Sequence, residues 1–165
     1  VAGLFIYAVW VVGLKNSYNA AAGAAALTIL MIPTVARISE EVLKLIPNDL
    51  REAGLAMGAT QWRTVAMIVI PAAKSGLVTA VILGIARVAG ETAPLLLTIG
   101  GADGLNLNPF SGNNSALPYY VWKNLGLGSE IAVQRAWLGV FVLIIVVFIF
   151  FTLARVLGAA KGSKK

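Results

Sequence analysis

Ile85-Ala86-Arg87-Val88-Ala89-Gly90-Glu91-Thr92-Ala93-Pro94 lies inside the apolar run from Lys74 to Gly101, and its two charges decide how the chain is read. From Ser75 to Ile99 every residue is apolar, or small and neutral, except Arg87 and Glu91. A bilayer crossing takes about 20 such residues at about 1.5 Å each, so 75–99 is predicted to span. Arg87 then falls about 18 Å along that helix, near the middle of a hydrocarbon slab about 30 Å thick. A charge at that depth costs at least about 2.5–3.5 kcal/mol on insertion scales. Arg87 and Glu91 are four apart and are expected on one helix face, in a small polar stripe that includes Ala80, Gly84, Pro94 and Thr98. Pro94 lacks an N–H and clashes with the carbonyl of Gly90, so a kink is expected between Gly90 and Pro94. One reading has the two charges neutralising each other inside a bundle. The sharper one follows from the kink, because a freed carbonyl at membrane depth is tolerable only beside protein or a cavity. Arg87, Glu91, Thr92 and Pro94 are therefore the expected substrate path. Thr92 and Thr98 could supply hydroxyl donors, although a span threonine more often bonds its own backbone.

The rest of the composition agrees with a membrane protein. The chain is 59% hydrophobic and 12% charged, with a mean hydropathy of +0.86, and its apolar residues come in long blocks. It has no cysteine and no histidine, which removes disulfides, thiol chemistry and most zinc or haem sites. The formal charge of +6 does not indicate nucleic acid, since the basic residues are dispersed at the ends of apolar blocks without an aromatic-interleaved patch. The chain opens at Val1 within an apolar run, so it reads as the C-terminal part of a longer polypeptide.

Four spans are expected, at about 1–14, 19–36, 75–99 and 136–157. The first has about 21 Å of helix and reads as the tail of a truncated span. The second carries the small-residue run Ala20 to Ala26, which permits close helix approach, and Pro33, a possible kink site. Residues 100–134 form a Gly/Asn-rich loop with a short helix expected from Ser115 to Leu125, whose Tyr119, Tyr120 and Trp122 suit a membrane interface. Arg37, Lys44, Arg51 and Arg63, together with Arg155, Lys161, Lys164 and Lys165, outnumber Lys15, Lys123 and Arg135. Positive-inside logic puts 37–63 and the C-terminus in the cytoplasm and 100–134 outside.

The segment 37–63 is more than a connector. Pro47 is expected to end one helix, and Asn48 or Asp49 to cap another, with Asp49 and Glu52 spaced as a capping box. Gly58 closes this helix as its C′ residue, and Thr60 caps the next, which leads through Pro71 into the span. Leu50, Ala53, Ala56 and Met57 then present a small, apolar surface. It could rest on lipid headgroups or fit a protein groove, and its lack of bulk favours the groove.

Glu52-Ala53-Gly54, Gly58, Ile68 and Ile70-Pro71 resemble the EAA loop of ABC importer permeases, with Gly54 where that family has Ala and Ile70 where it has Leu. The resemblance implies an all-α polytopic membrane protein, part of the transmembrane domain of a type I importer, in a bacterial or archaeal cytoplasmic membrane. Carried over, Asp49, Glu52, Ala53, Gly54 and Gly58 would dock on the ATP-binding subunit. Arg87-x-x-Gly90-Glu91 resembles the oxyanion branch, and Pro47 to Ala53 with Ile85 to Leu96 is most similar to the PstA type of phosphate permease. That implies a second, PstC-like permease, a dimer of ATP-binding subunits and an external phosphate-binding protein. No cofactor is implied on this chain, since ATP and Mg would be bound by the partner. Sulfate or molybdate as cargo is the alternative.

The chain has no G-x-x-x-x-G-K-[ST] loop of its own. An intramembrane enzyme using Glu91 lacks a His, a Cys, a paired carboxylate or a Ser dyad to work with. A passive channel or scaffold would leave the Asp49–Gly58 helix without a purpose.

Overall fold

The structure, a computed structural model, describes residues 1–159. Among them are seven helices and no strand, with a single isolated bridge between Gly100 and Asn114. The helices are α1 (Ala2–Gly13), α2 (Ala20–Lys44), α3 (Asn48–Ala56), α4 (Gln61–Ala89), α5 (Ala93–Leu96), α6 (Leu117–Gly126) and α7 (Glu130–Ala159). By length and composition α2, α4 and the part of α7 from Glu130 to Leu153 can cross a membrane. The molecule is an all-α, multi-pass membrane protein. α1 is too short to do so alone, in keeping with its short apolar run.

Two expected spans have different limits. α2 does not stop at Ala36 but continues to Lys44, because Arg37–Glu41 and Glu40–Lys44 form exposed i, i+4 ion pairs that suit a helix surface. The span expected at 75–99 is a helix that starts at Gln61 and ends at Ala89. Thr60 caps its start, accepting the N–H of Arg63 at 3.4 Å. Pro71 has no donor for the carbonyl one turn back, and the helix is wound in π form over Val65–Val69 just ahead of it. The basic tail residues Lys161, Lys164 and Lys165, counted in the expected orientation, lie outside the described residues.

The chain forms two compact units, and α2, α4 and α7 each contribute residues to both. The first is Val1–Ile32 with Ala86–Ile149. Its core is built on small residues: Ile6, Ala22 and Ala26 are buried, with Trp10 and Ala25 packed against them. A β-carbon on Gly23 would stand 2.6 Å from Cγ2 of Ile99, so the Ala/Gly run does bring backbones close. Asn19 caps α2 with its Oδ1, which accepts the N–H of Ala22 at 2.8 Å. Its Nδ2 donates to the carbonyl of Phe110, and the Ala21 N–H donates to the carbonyl of Pro109. One first-turn donor of α2, the Ala21 N–H, thus ends on the loop after α5. That loop is knitted by asparagines: Asn106 Nδ2 donates to the carbonyls of Ser111 and Asn113, and Asn114 Nδ2 to that of Asn108. The expected helix near 115–125 is present as α6, and it packs on α7 where Gly139 meets Val121.

The second unit is Pro33–Ile85 with the segment from Phe150. In it α2 and α4 approach so closely that a β-carbon on Gly76 would run into Val42. The short helix α3 is present where it was expected, between the ends of α2 and α4 in the chain.

Candidate functional site

At the end of α4 the helix does not kink; it breaks. Gly90, Glu91 and Thr92 leave the helical path, with the Glu91 N–H reaching back to the carbonyl of Val88 at 3.1 Å. The chain re-enters helix at α5 with Pro94 in its first turn, where a missing N–H costs nothing. The carbonyl of Pro94 is not wasted: buried Thr98 donates its hydroxyl to it at 2.8 Å. The Thr98 hydroxyl is therefore satisfied by its own backbone. Thr92 stands at the N-cap of α5 and makes no side-chain cap.

The single stripe expected from Ala80 to Thr98 does not exist, because the proline ends the helix before Glu91 can join Arg87 on one face. Ala80 and Gly84 are buried and Arg87 is exposed. No ion pair joins Arg87 to Glu91 among the described residues. Arg87 occupies the last turn of α4, where a cation is favoured by the helix dipole, and it has no acidic partner among the described residues. Glu91 instead faces a cavity of about 400 Å³. Its other walls are apolar: Gly3 and Leu4 of α1, Leu30 of α2, and Ala93, Pro94 and Leu97. Gly3 is the residue that sequence reasoning missed here, since one glycine in an apolar run carries no signal.

The second cluster is α3. Pro47 occupies the N-cap and makes no side-chain hydrogen bond, so the Asp49/Glu52 capping box is not formed. The helix begins two residues earlier than that box requires, and Asp49 acts only as a first-turn carboxylate favoured by the dipole. The C-terminus is as expected. Gly58 has φ +80, its N–H donates to Leu55 at 2.9 Å, and the Ala59 N–H donates to Gly54 at 3.3 Å. That pair of bonds is a Schellman motif.

Glu52 and Ala53 are exposed, as are Leu50, Ala56 and Met57. Gly54 points the other way and is buried; a β-carbon there would meet Thr64 Cγ2 at 2.7 Å and Ile68 Cδ1 at 2.9 Å. Arg51, not singled out by its sequence position, reaches the end of α2. Its Nη2 donates to the carbonyl of Leu43 at 3.0 Å.

Residues 1–161 match the family described as the binding-protein-dependent transport system inner membrane component. Among curated proteins, the chain is similar to the phosphate transport system permease protein PstA 1 of Mycobacterium tuberculosis, 42% identical over 147 residues, which cover 89% of this chain and 48% of that protein. It is also similar to the phosphate transport system permease protein PstA of Yersinia pestis, 38% identical over 170 residues, covering 98% of this chain and 54% of that protein. That of Pasteurella multocida is 51% identical over 98 residues, covering 59% of this chain and 35% of that protein. The chain spans about half the length of the curated relatives it matches. No solved structure gives a significant match. With the EAA-like helix, the apolar spans and the family match over nearly all its length, this chain belongs to the inner-membrane components of binding-protein-dependent transport systems.

Proposed function

We propose that the chain is part of the permease subunit of an ATP-driven importer that carries inorganic phosphate across a cytoplasmic membrane by alternating access. The observation that carries this reading is the likeness, over 89% to 98% of this chain, to proteins named as phosphate transport system permeases. The site chemistry is compatible with it. Arg87 is an exposed guanidinium without an acidic partner among the described residues, and its planar fork can engage two oxygens of one oxyanion. Glu91 lies two residues past the end of α4, in a break that no basic side chain reaches among the described residues, so its carboxylate can accept the hydroxyl of a protonated oxyanion. Thr92 and Pro94 shape the break. α3 presents Glu52, Ala53, Leu50 and Met57 outward for an ATP-binding subunit, with Gly58 fixing its end. In this reading α3 and the C-terminus face the cytoplasm and residues 100–134 face outside. A second permease completes the path, ATP and its Mg ion bind a partner dimer, and an external phosphate-binding protein delivers the anion.

The test is ATP hydrolysis and anion uptake by the reconstituted complex, with phosphate, sulfate and molybdate in parallel. Phosphate is expected to stimulate both, and Arg87→Ala, in a complex that assembles normally, is expected to lower phosphate uptake at least tenfold, about the loss of one charge-assisted anion contact. Stimulation by sulfate or molybdate alone would change the cargo, and full uptake by Arg87→Ala would remove Arg87 from the path.

A further inference from the structure

The helix α3 is fastened on two sides, and the two fastenings lead to different spanning helices. On one side Arg51 Nη2 donates to the carbonyl of Leu43. That carbonyl is among the last four of α2, which have no partner within the helix. The carbonyls of Glu41 and Val42 are taken by the N–H of Leu45, so Arg51 takes the next one along. On the other side Gly54 lies against Thr64 and Ile68 of α4, with no room for even a methyl group. This is the position at which the chain departs from the E-A-A pattern, and the departure removes the atom that would hold the two helices apart. Among the described residues, both fastenings contain a buried polar side-chain atom without a protein hydrogen-bond partner, Nε of Arg51 and Oγ1 of Thr64.

The geometry points to Arg51 as a positioning residue for energy coupling, the tether through which displacement of α3 is passed to the C-terminal end of α2, while the Gly54 contact passes it to α4. This rests on the importer reading above. Covalent connection alone is a poor transmitter here. Residues 45–47 are non-helical and end in Pro47, so α3 could swing about them without moving α2. A hydrogen bond from a planar guanidinium to a backbone carbonyl removes that freedom, because it fixes both distance and direction. The exposed face of α3, with Glu52 and Ala53, remains available to a partner, since Arg51 and Gly54 are turned to this chain's own helices.

The test compares Arg51→Met, which keeps length and apolar bulk, with Arg51→Lys, which keeps the charge and a donor, in the full reconstituted complex. Three quantities are read: copurified ATP-binding subunit, ATP hydrolysis, and phosphate uptake. Arg51→Met is expected to retain the subunit and hydrolysis while uptake per ATP falls about tenfold, within the range of coupling lesions, and Arg51→Lys to recover part of it. Because the chain has no cysteine, spin labels at Glu40→Cys and Ala56→Cys report the tether directly. Their distance is expected to be the same with and without ATP in the parent, and to broaden in Arg51→Met. Unchanged uptake per ATP with an unchanged label distance would overturn the proposal. So would loss of hydrolysis and uptake in step with loss of the ATP-binding subunit, which would make Arg51 a docking or folding residue. If the parent complex hydrolyses no ATP in response to any oxyanion, the importer reading itself falls, and that outcome is read before any variant is made.

Discussion

A β-carbon built on Gly3 would stand 2.6 Å from the Cα of Pro94, nearer than real atoms approach. α1 therefore lies directly on the backbone of the break that carries Glu91. The obstacle is main chain, which cannot turn aside as a side chain would. Gly3→Val must move one segment or the other, at the roughly 1–3 kcal/mol that overpacking costs. In a chain without cysteines, Thr92→Cys gives a reporter in the break. Gly3→Val is expected to speed thiol labelling of that reporter and, on the proposed permease reading, to lower phosphate uptake in the parent background, with Gly3→Ala intermediate. Equal labelling rates in all three would mean that α1 does not hold the break.

Gly58 tests a purely conformational claim. Its φ of +80 lies in the left-handed region, and no atom stands within 4 Å of where its β-carbon would be. Crowding cannot contribute, so Gly58→Ala should cost only the left-handed penalty, about 1–2 kcal/mol. Gly58→Asn should cost less, since asparagine also ends helices in this way. Thermal unfolding of the purified protein is the measurement. A loss with Asn as large as that with Ala would show that the position needs space and not a backbone angle.

The sequence was most informative where a rule acts over a few residues. Gly58 and Thr60 end one helix and start the next because each meets a local backbone need, and both needs are visible in the residue types. Pro94 was equally legible as a disturbance, but whether a helix bends or stops depends on what receives the freed groups. Here the Thr98 hydroxyl, from the same run, takes the Pro94 carbonyl, but α1, which packs on the proline, comes from a distant part of the sequence. That is why Arg87 and Glu91, four apart and apparently neighbours, do not form an ion pair. Arg51 was hidden for the same reason. Its acceptor is a backbone carbonyl eight residues away, which has no side-chain signature. The Asp49/Glu52 spacing matched a capping box, yet Pro47 already fixes the N-cap backbone, and the helix starts without it.

Asn19 joins two elements by separate atoms, which allows the two to be tested apart. Asn19→Ala removes both the cap on Ala22 and the bond to Phe110, and a lost N-cap typically costs about 1 kcal/mol. Asn19→Asp keeps an acceptor for Ala22 but has no donor for Phe110. Hydrogen exchange should quicken at Ala22 and across 106–113 in Asn19→Ala, and only across 106–113 in Asn19→Asp. Slow exchange at Ala22 in Asn19→Ala would deny the cap any role.

Lys123 and Asp103 pin the start of the asparagine-knitted loop to α6. The hydrogen bond and ion pair with Asp103 raise the Lys123 ammonium above its ordinary value, against a smaller opposing effect of desolvation. A pKa raised by folding means that the pair stabilises the loop from neutral pH up to the ordinary lysine range, about 10.4, and that the benefit is lost as pH climbs through and beyond it. Because Asp103 is largely exposed, the contribution to global stability is small. The effect should therefore be local. Proteolysis across 104–112 is expected to be slow and flat from neutral pH to about pH 10 and to quicken above it, while the unfolding midpoint barely moves. Lys123→Gln should already show the faster cleavage at neutral pH and no further rise above pH 10 once the protease's own pH dependence is divided out with a denatured substrate. A parent-like profile for Lys123→Gln would assign the order of the loop to Asn106, Asn108 and Asn114 alone.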